Sequence, residues 1–423
     1  MGEAVAGSPL PTAGLPSRPE APSLVVGLAG PVLGLLGLHL AALFLLPKTG
    51  LGLGPLRPED FTGAALLAVV VVLAAIGPLP LPRGGLVPVA LCYLSYFWMI
   101  ALLRDVPAGY HQVLVLWSKE TSYLVFGYLV WLVNREWPGE FLRLARFAVM
   151  PTLAYGAFQI VTGARGIYGV SPFGHESSPA SSGMLYFGVS LILWMSGLAG
   201  PHRLVRRGLF ALSLALVAGS GSKIAVLGAA VFYLVLLIYD GWLAPTPAKV
   251  RRLVVAVVGS IVVMSVLTAL AFLKLAPSAF GRYLGFLSPV RVLMTRGIWF
   301  KFGWLDTPLK IVFGAGYSAG HIVNGQFSYS MATDNQVLFY ILTGGVLGLF
   351  PYLLLMTTLF RLRPWRSPSG QALRSLTIAY GFMGLGGEVL QLSLQGNVFW
   401  MMVGLCLSAP QVEPGRPSLS GAS

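Results

Sequence analysis

"GAGYSAGHIVNGQFSYSMATDNQVLFYILTGGVLGLF", residues 314–350, joins two kinds of sequence. Its first half is polar and glycine-rich and runs up to Asp334-Asn335. Its second half is apolar, broken at Thr343-Gly344-Gly345, and stays apolar almost to Arg361. That run exceeds the ~20 residues a helix needs to cross a hydrocarbon core. The stretch therefore reads as a loop feeding a membrane helix, with a carboxylate and an amide at its mouth.

The rest of the chain agrees. Its 423 residues are 56% hydrophobic and 10% charged, with a mean hydropathy of +0.78. Soluble domains average about 45–50% apolar and about 25% charged. The expected class is an all-α, polytopic integral membrane protein. The net charge of +14 then belongs to loops facing anionic lipid. No basic-aromatic module for nucleic acid is present, so membrane lipids are the expected partner and nucleic acid is not. Cys92 and Cys406 both lie in apolar segments and imply no disulfide framework.

Apolar runs place spans at 23–46, 61–81, 86–103, 113–133, 141–161, 179–199, 251–274, 335–360, 372–392 and 395–409. The run 204–241 is interrupted by Gly219-Ser220-Gly221-Ser222-Lys223 and reads as two more, giving about 12 transmembrane helices. Residues 1–22 and 410–423 read as disordered tails flanking a bundle over 23–409. Basic residues alternate by loop. The even-numbered connections hold Arg83, then Arg135 and Arg143, then Arg203, Arg206 and Arg207, then Lys249, Arg251 and Arg252, then Arg361, Arg363, Arg366 and Arg374. By the positive-inside rule both termini are expected in the cytoplasm.

One external connection stands apart. Residues 275–334 carry Arg282, Arg291, Arg296, Lys301 and Lys310 against Asp306 and Asp334. Loops this long are usually functional or disordered. Its Phe, Trp, Leu and Val content points instead to short amphipathic helices lying on the membrane.

Polar elements gather on that same face. The loop 162–183 offers Arg165, His175 and Glu176. The two helices within 209–239 are each about 23 Å long at 1.5 Å per residue. Their junction is therefore expected below the membrane surface, where irregular backbone must line a cavity or be buried in protein. Ser222 is expected to cap the second helix, and Lys223 to add a full charge at its positive dipole end. Together these make an anion site. The bland alternative is a kinked helix whose Lys223 snorkels to the interface. Arg291 and Arg296 stand about 140° apart on a helix, so only one can face a cavity squarely.

Other candidates carry less. Glu59-Asp60 is either an acidic metal-binding pair or, more simply, a cap for the second span. Lys119 and Glu120 lie inside the fourth span and point to different sides, so each needs its own partner. Glu388, Gln391 and Gln395 are candidates for the same external cavity. His39, His111, His202 and His321 show no metal-ligand spacing.

Three stretches resemble the bacterial O-antigen polymerase and O-antigen ligase superfamily, over roughly residues 140–410. "VAGSGSKIAVLGAAV" (217–231) is similar to its Thr-Gly-Ser-Arg/Lys break, with Ser220 and Lys223 at the outer positions. "RGIWFKFGWLDTPLKIVFGAGYS" (296–318) resembles its external arginine, aromatic-rich helix, Pro and Gly-x-Gly, which selects Arg296 and places Gly314 and Gly316. "ATDNQVLFYILTGGVLGLF" (332–350) resembles its His-Asn followed by a span with spaced glycines, with Asp334 where ligases carry His. That departure favours a polymerase.

The resemblance implies a GT-C-like architecture in the bacterial inner membrane. It implies transfer of a glycan from an undecaprenyl-diphosphate-linked oligosaccharide to a sugar hydroxyl, with inversion and with no cofactor or metal. Arg165, Lys223, Arg291 and Arg296 would hold the diphosphate. Asp334 would act as base, with Glu176 and His175 as the other candidates, while Asn335 and Ser222 support. A chain-length regulator protein is a candidate partner. Two rivals remain: a secondary transporter, which should show paired helix breaks in two halves, and a metal-dependent lipid-phosphate-sugar glycosyltransferase using Glu59-Asp60.

Overall fold

The computed structural model describes residues 29–46, 57–82, 84–163, 179–197, 203–243, 307–317, 322–323, 326–327, 336–363, 367–384, 390 and 393–409. Both expected tails, the expected ninth span and most of the loop 275–334 lie outside them. The described chain is helical but for one two-residue antiparallel ladder. The helices are α1 (Ala29–Phe44), α2 (Pro58–Ile76), α3 (Leu86–Ile100), α4 (Gln112–Glu136), α5 (Glu140–Thr162) and α6 (Pro179–Gly197). They continue as α7 (Arg203–Gly219), α8 (Lys223–Leu243), the short α9 (Pro308–Phe313), α10 (Gln336–Arg361), α11 (Pro368–Gly384) and α12 (Ser393–Ser408). Strands β1 (Ile322–Val323) and β2 (Gln326–Phe327) pair Ile322 with Phe327 and Val323 with Gln326.

Among the described residues, four segments are long and apolar enough to cross a membrane: Pro58–Ile76, Leu86–Asp105, Glu140–Thr162 and Phe339–Arg361. Shorter apolar helices fill 30–44, 182–196, 207–219, 224–239 and 394–408. Helix α3 runs on into a π-helical turn, Ala101–Asp105, a form that often marks functional positions.

Helix α4 is the hub of one half of the bundle. It packs on α12, α2, α3, α5 and α1, and buries Trp117, Tyr123, Phe126, Leu129 and Val130. Its approach to α12 needs glycine twice. A Cβ on Gly127 would lie 2.5 Å from the Trp400 carbonyl oxygen, and one on Gly404 would lie 2.3 Å from that of Gly127. Small residues let membrane helices meet backbone to backbone in this way. In the other half, α8 packs on α11 and α6, and α6 on α7. Helix α10 joins the halves by touching both α3 and α11.

One expectation changes here. Asp60 is not an N-cap: Pro58, preset for the first helical position, starts α2 earlier and puts Asp60 in its first turn. There the carboxylate accepts the Arg57 N–H at 2.7 Å. Helix α9 is the one helix described within the connection 275–334. Leu309, Ile311, Val312 and Phe313 are all exposed on it.

Candidate functional site: two helix breaks

The first break separates α7 from α8. The Ser220 and Gly221 N–H groups still donate backward, to Leu216 (2.9 Å) and Ala218 (3.2 Å). Gly221 then turns the chain at φ 70°, a conformation glycine adopts without penalty. The Ser222 hydroxyl accepts the Ala225 N–H at 3.2 Å, so Ser222 caps α8 as expected. Its own N–H reaches the Ser220 hydroxyl at 3.3 Å. Both serines are buried. Helix α6 closes over them at Gly183, where a Cβ would lie 2.3 Å from Ser222 Cβ and 2.7 Å from Ser220 Oγ. Lys223 opens α8, at the end where free N–H groups and the helix dipole favour anions.

The second break lies within α10. Gly345 has φ 69° and ψ −167°, which interrupts the helix. Such a break frees carbonyls that would otherwise accept from the next turn. A strap from residues 314–317 takes them. Ala315 N–H donates to the Leu342 carbonyl at 2.8 Å, and Gly316 N–H to that of Thr343 at 3.2 Å. Tyr96 on α3 donates its hydroxyl to the Gly344 carbonyl at 2.5 Å. Arg104, in the π-helical turn, donates to the Gly314 carbonyl. The strap must be glycine at its contact points. A Cβ on Gly314 would lie 2.3 Å from the Thr343 oxygen, and one on Gly316 2.5 Å from an Asp105 carboxylate oxygen. Gly345 is closed off likewise, with the Val312 oxygen 2.2 Å from where its Cβ would sit.

Buried polar side chains pair elsewhere within the bundle. Glu120 accepts a hydrogen bond from the Tyr93 hydroxyl, and Tyr93 lies 2.6 Å from the Tyr340 hydroxyl. Lys119 turns the other way and pairs with Asp60 at 2.6 Å. Each of the adjacent charges thus finds a separate partner, as their divergence on a helix requires. His39 bridges Thr62 (2.7 Å) and Asn397 (3.1 Å). Gln336, the first residue of α10, accepts the Leu390 N–H at 3.1 Å. Gln395 is fully buried, and neither side-chain polar atom has a partner among the described residues.

Of the expected site residues, the structure describes Ser222 in full and the backbone of Lys223. Arg165, His175, Glu176, Arg291, Arg296, Asp334 and Asn335 lie outside the described residues, as do Glu388 and Gln391. Sequence reasoning missed Gly183, Tyr96, Arg104 and Asp105. The available signal was Arg104-Asp105 itself, a charged pair closing an apolar run. The described residues contain no group of three His, Cys, Asp or Glu able to hold a metal. Asp60, one half of the expected acidic pair, is engaged by Lys119 and the Arg57 amide. No protein-family model matches the chain, and no curated protein matches it.

Proposed function

We propose that the chain is a lipid-linked glycan polymerase of the O-antigen kind. It takes the growing glycan from undecaprenyl diphosphate and adds it to a sugar hydroxyl of the next lipid-linked repeat unit. The reading includes twelve spans in a GT-C-like bundle in the bacterial inner membrane, cytoplasmic termini and a site on the periplasmic face. The observation that carries it is the break at Ser220–Lys223. A buried Ser222 caps a helix that opens on a lysine, which supplies backbone donors and a cation for one phosphate.

The leaving group is a lipid diphosphate, whose departure is eased by cations that neutralise its charge. Lys223, Arg165, Arg296 and Arg291 supply them in this scheme. Asp334 takes the proton of the attacking hydroxyl as general base, and Asn335 orients that hydroxyl. The C–O bond to the diphosphate breaks at the anomeric carbon as the new glycosidic bond forms on the opposite face.

The test uses purified protein and a synthetic undecaprenyl-diphosphate repeat unit. Chain extension that persists in chelator is expected, with Arg296→Ala and Asp334→Asn both abolishing it at normal protein abundance. A purified Asp334→Asn enzyme working near the wild-type rate would remove Asp334 as base. Labelling single cysteines at Ser178 and Ser328 with an impermeant thiol reagent, in a background lacking Cys92 and Cys406, tests the orientation independently.

A further inference from the structure

A cavity of about 310 Å³ lies between α2, α3, α4 and α12. Val87, Ala90, Tyr128, Trp131, Gly404 and Leu407 are among its walls. Its polar side chains are committed elsewhere. Thr121 donates to the Trp117 carbonyl at 2.7 Å and accepts from the Trp98 indole at 3.2 Å. Tyr128 donates to the Pro80 carbonyl at 2.9 Å. A water needs two to four polar partners, and the walls of this space are predominantly apolar. The glycine contact between α4 and α12 sets its floor. Leu81 and Leu91, both more than half exposed, stand at its mouth. The mouth opens beside α2 and α3, both able to cross a membrane.

One end of the groove is cationic. Arg135 lies over the ring of the wall residue Trp131, 5.3 Å from its centroid. Its Nε is 3.3 Å from Glu136, and its side chain remains 45% exposed. Arg363 donates to the carbonyl of the wall residue Leu407. Tyr128, Trp131 and Arg135 recur three and four residues apart on α4, so they form one stripe leading out of the groove. Aromatic rings followed by arginine match the sequence of a bilayer interface, hydrocarbon to headgroup.

We propose that this groove holds an acyl chain of an anionic phospholipid from the surrounding bilayer, with its phosphate on Arg135 and Arg363. An empty hydrocarbon-lined space forfeits dispersion contacts along its walls, and a lipid chain restores them. The net positive end selects an anionic headgroup over a zwitterionic one. This inference stands apart from the glycosyltransferase reading and requires only that α2 and α3 lie in a bilayer.

The experiment places the full chain in nanodiscs containing phosphatidylglycerol or phosphatidylethanolamine, each with a diazirine on one acyl chain. After photolysis, labelled peptides are mapped. Phosphatidylglycerol adducts are expected to concentrate on residues 86–94 and 121–131. Arg135→Gln should reduce them about fivefold. Val87→Trp, which fills the groove, should abolish them with an unchanged melting curve. Adducts spread evenly around the bundle, equal labelling by both lipids, or full labelling of a folded Val87→Trp protein would overturn the proposal. If Val87→Trp does not fold, the wild-type map and the Arg135→Gln comparison decide.

Discussion

The two helix breaks in this bundle are completed in opposite ways. At Ser220–Ser222 the repair is local. Two serine hydroxyls and a left-handed glycine redirect the backbone, each donor lying within three residues of its acceptor. At Gly345 the repair comes from far away in sequence, through the Gly314–Gly316 strap, Tyr96 and Arg104. A locally capped break can present its free N–H groups to a ligand, because the cap uses only part of them. A break filled by another segment presents nothing of its own. It instead ties α3, the strap and α10 together. The first is suited to binding and the second to positioning.

If the second break depends on the strap, the largest effect should come from Gly314→Val. The substitution forces a branched side chain into φ 79° and onto a backbone oxygen 2.3 Å away. We expect a loss of more than about 3 kcal/mol, seen as aggregation or a collapsed melting midpoint in mild detergent. A Gly314→Val protein melting within a few degrees of wild type would break the comparison, since the strap would then be dispensable.

The next effect is smaller and concerns Arg104. Arg104→Ala removes a charged donor from the Gly314 carbonyl, at a cost of about 1.5–3 kcal/mol. Arg104→Lys should recover only part of this, because a single ammonium lacks the guanidinium's fixed fork. Melting midpoints of the three proteins decide. At the first break, Gly221→Ala meets the backbone penalty of a positive φ, about 1 kcal/mol. A Gly221→Ala loss as large as that of Gly314→Val would mean that the first break is also held by distant packing.

How much of this was legible in the sequence follows the same division. The Ser222 cap could be read because its signal is contiguous: glycine, serine, then a helix-forming run. The interruption at Thr343–Gly345 could also be read as a break in an apolar run. What fills it could not, because Gly314 and Thr343 meet only in three dimensions, and a Gly-x-Gly does not name its target. Lys119 and Glu120 demanded partners from the sequence alone, but only the fold assigns Asp60 to one and Tyr93 to the other. Asp60 was displaced from cap to first turn by a proline two residues earlier. Arg104 was missed, since nothing local shows that a carbonyl from residue 314 comes to it.

The smallest structural change is the most informative about function. Ser222→Ala removes the acceptor for the Ala225 N–H and should cost about 1 kcal/mol, the usual value of an N-cap. Ser222→Asn should restore the cap, since asparagine serves there about as well as serine, although Gly183 leaves it little room. If the break only joins two helices, chain extension by the purified enzyme should track the melting midpoint. Both variants would then keep near-wild-type rates below their transition temperatures. If the N-terminus of α8 holds a phosphate, Ser222→Ala tilts its first turn and should raise KM for the lipid-linked donor several-fold more than it lowers kcat. Asn at the same position should recover that KM. A KM unchanged in Ser222→Ala, beside a lowered melting midpoint, would assign the first break to architecture alone and leave the diphosphate to Arg165, Arg291 and Arg296.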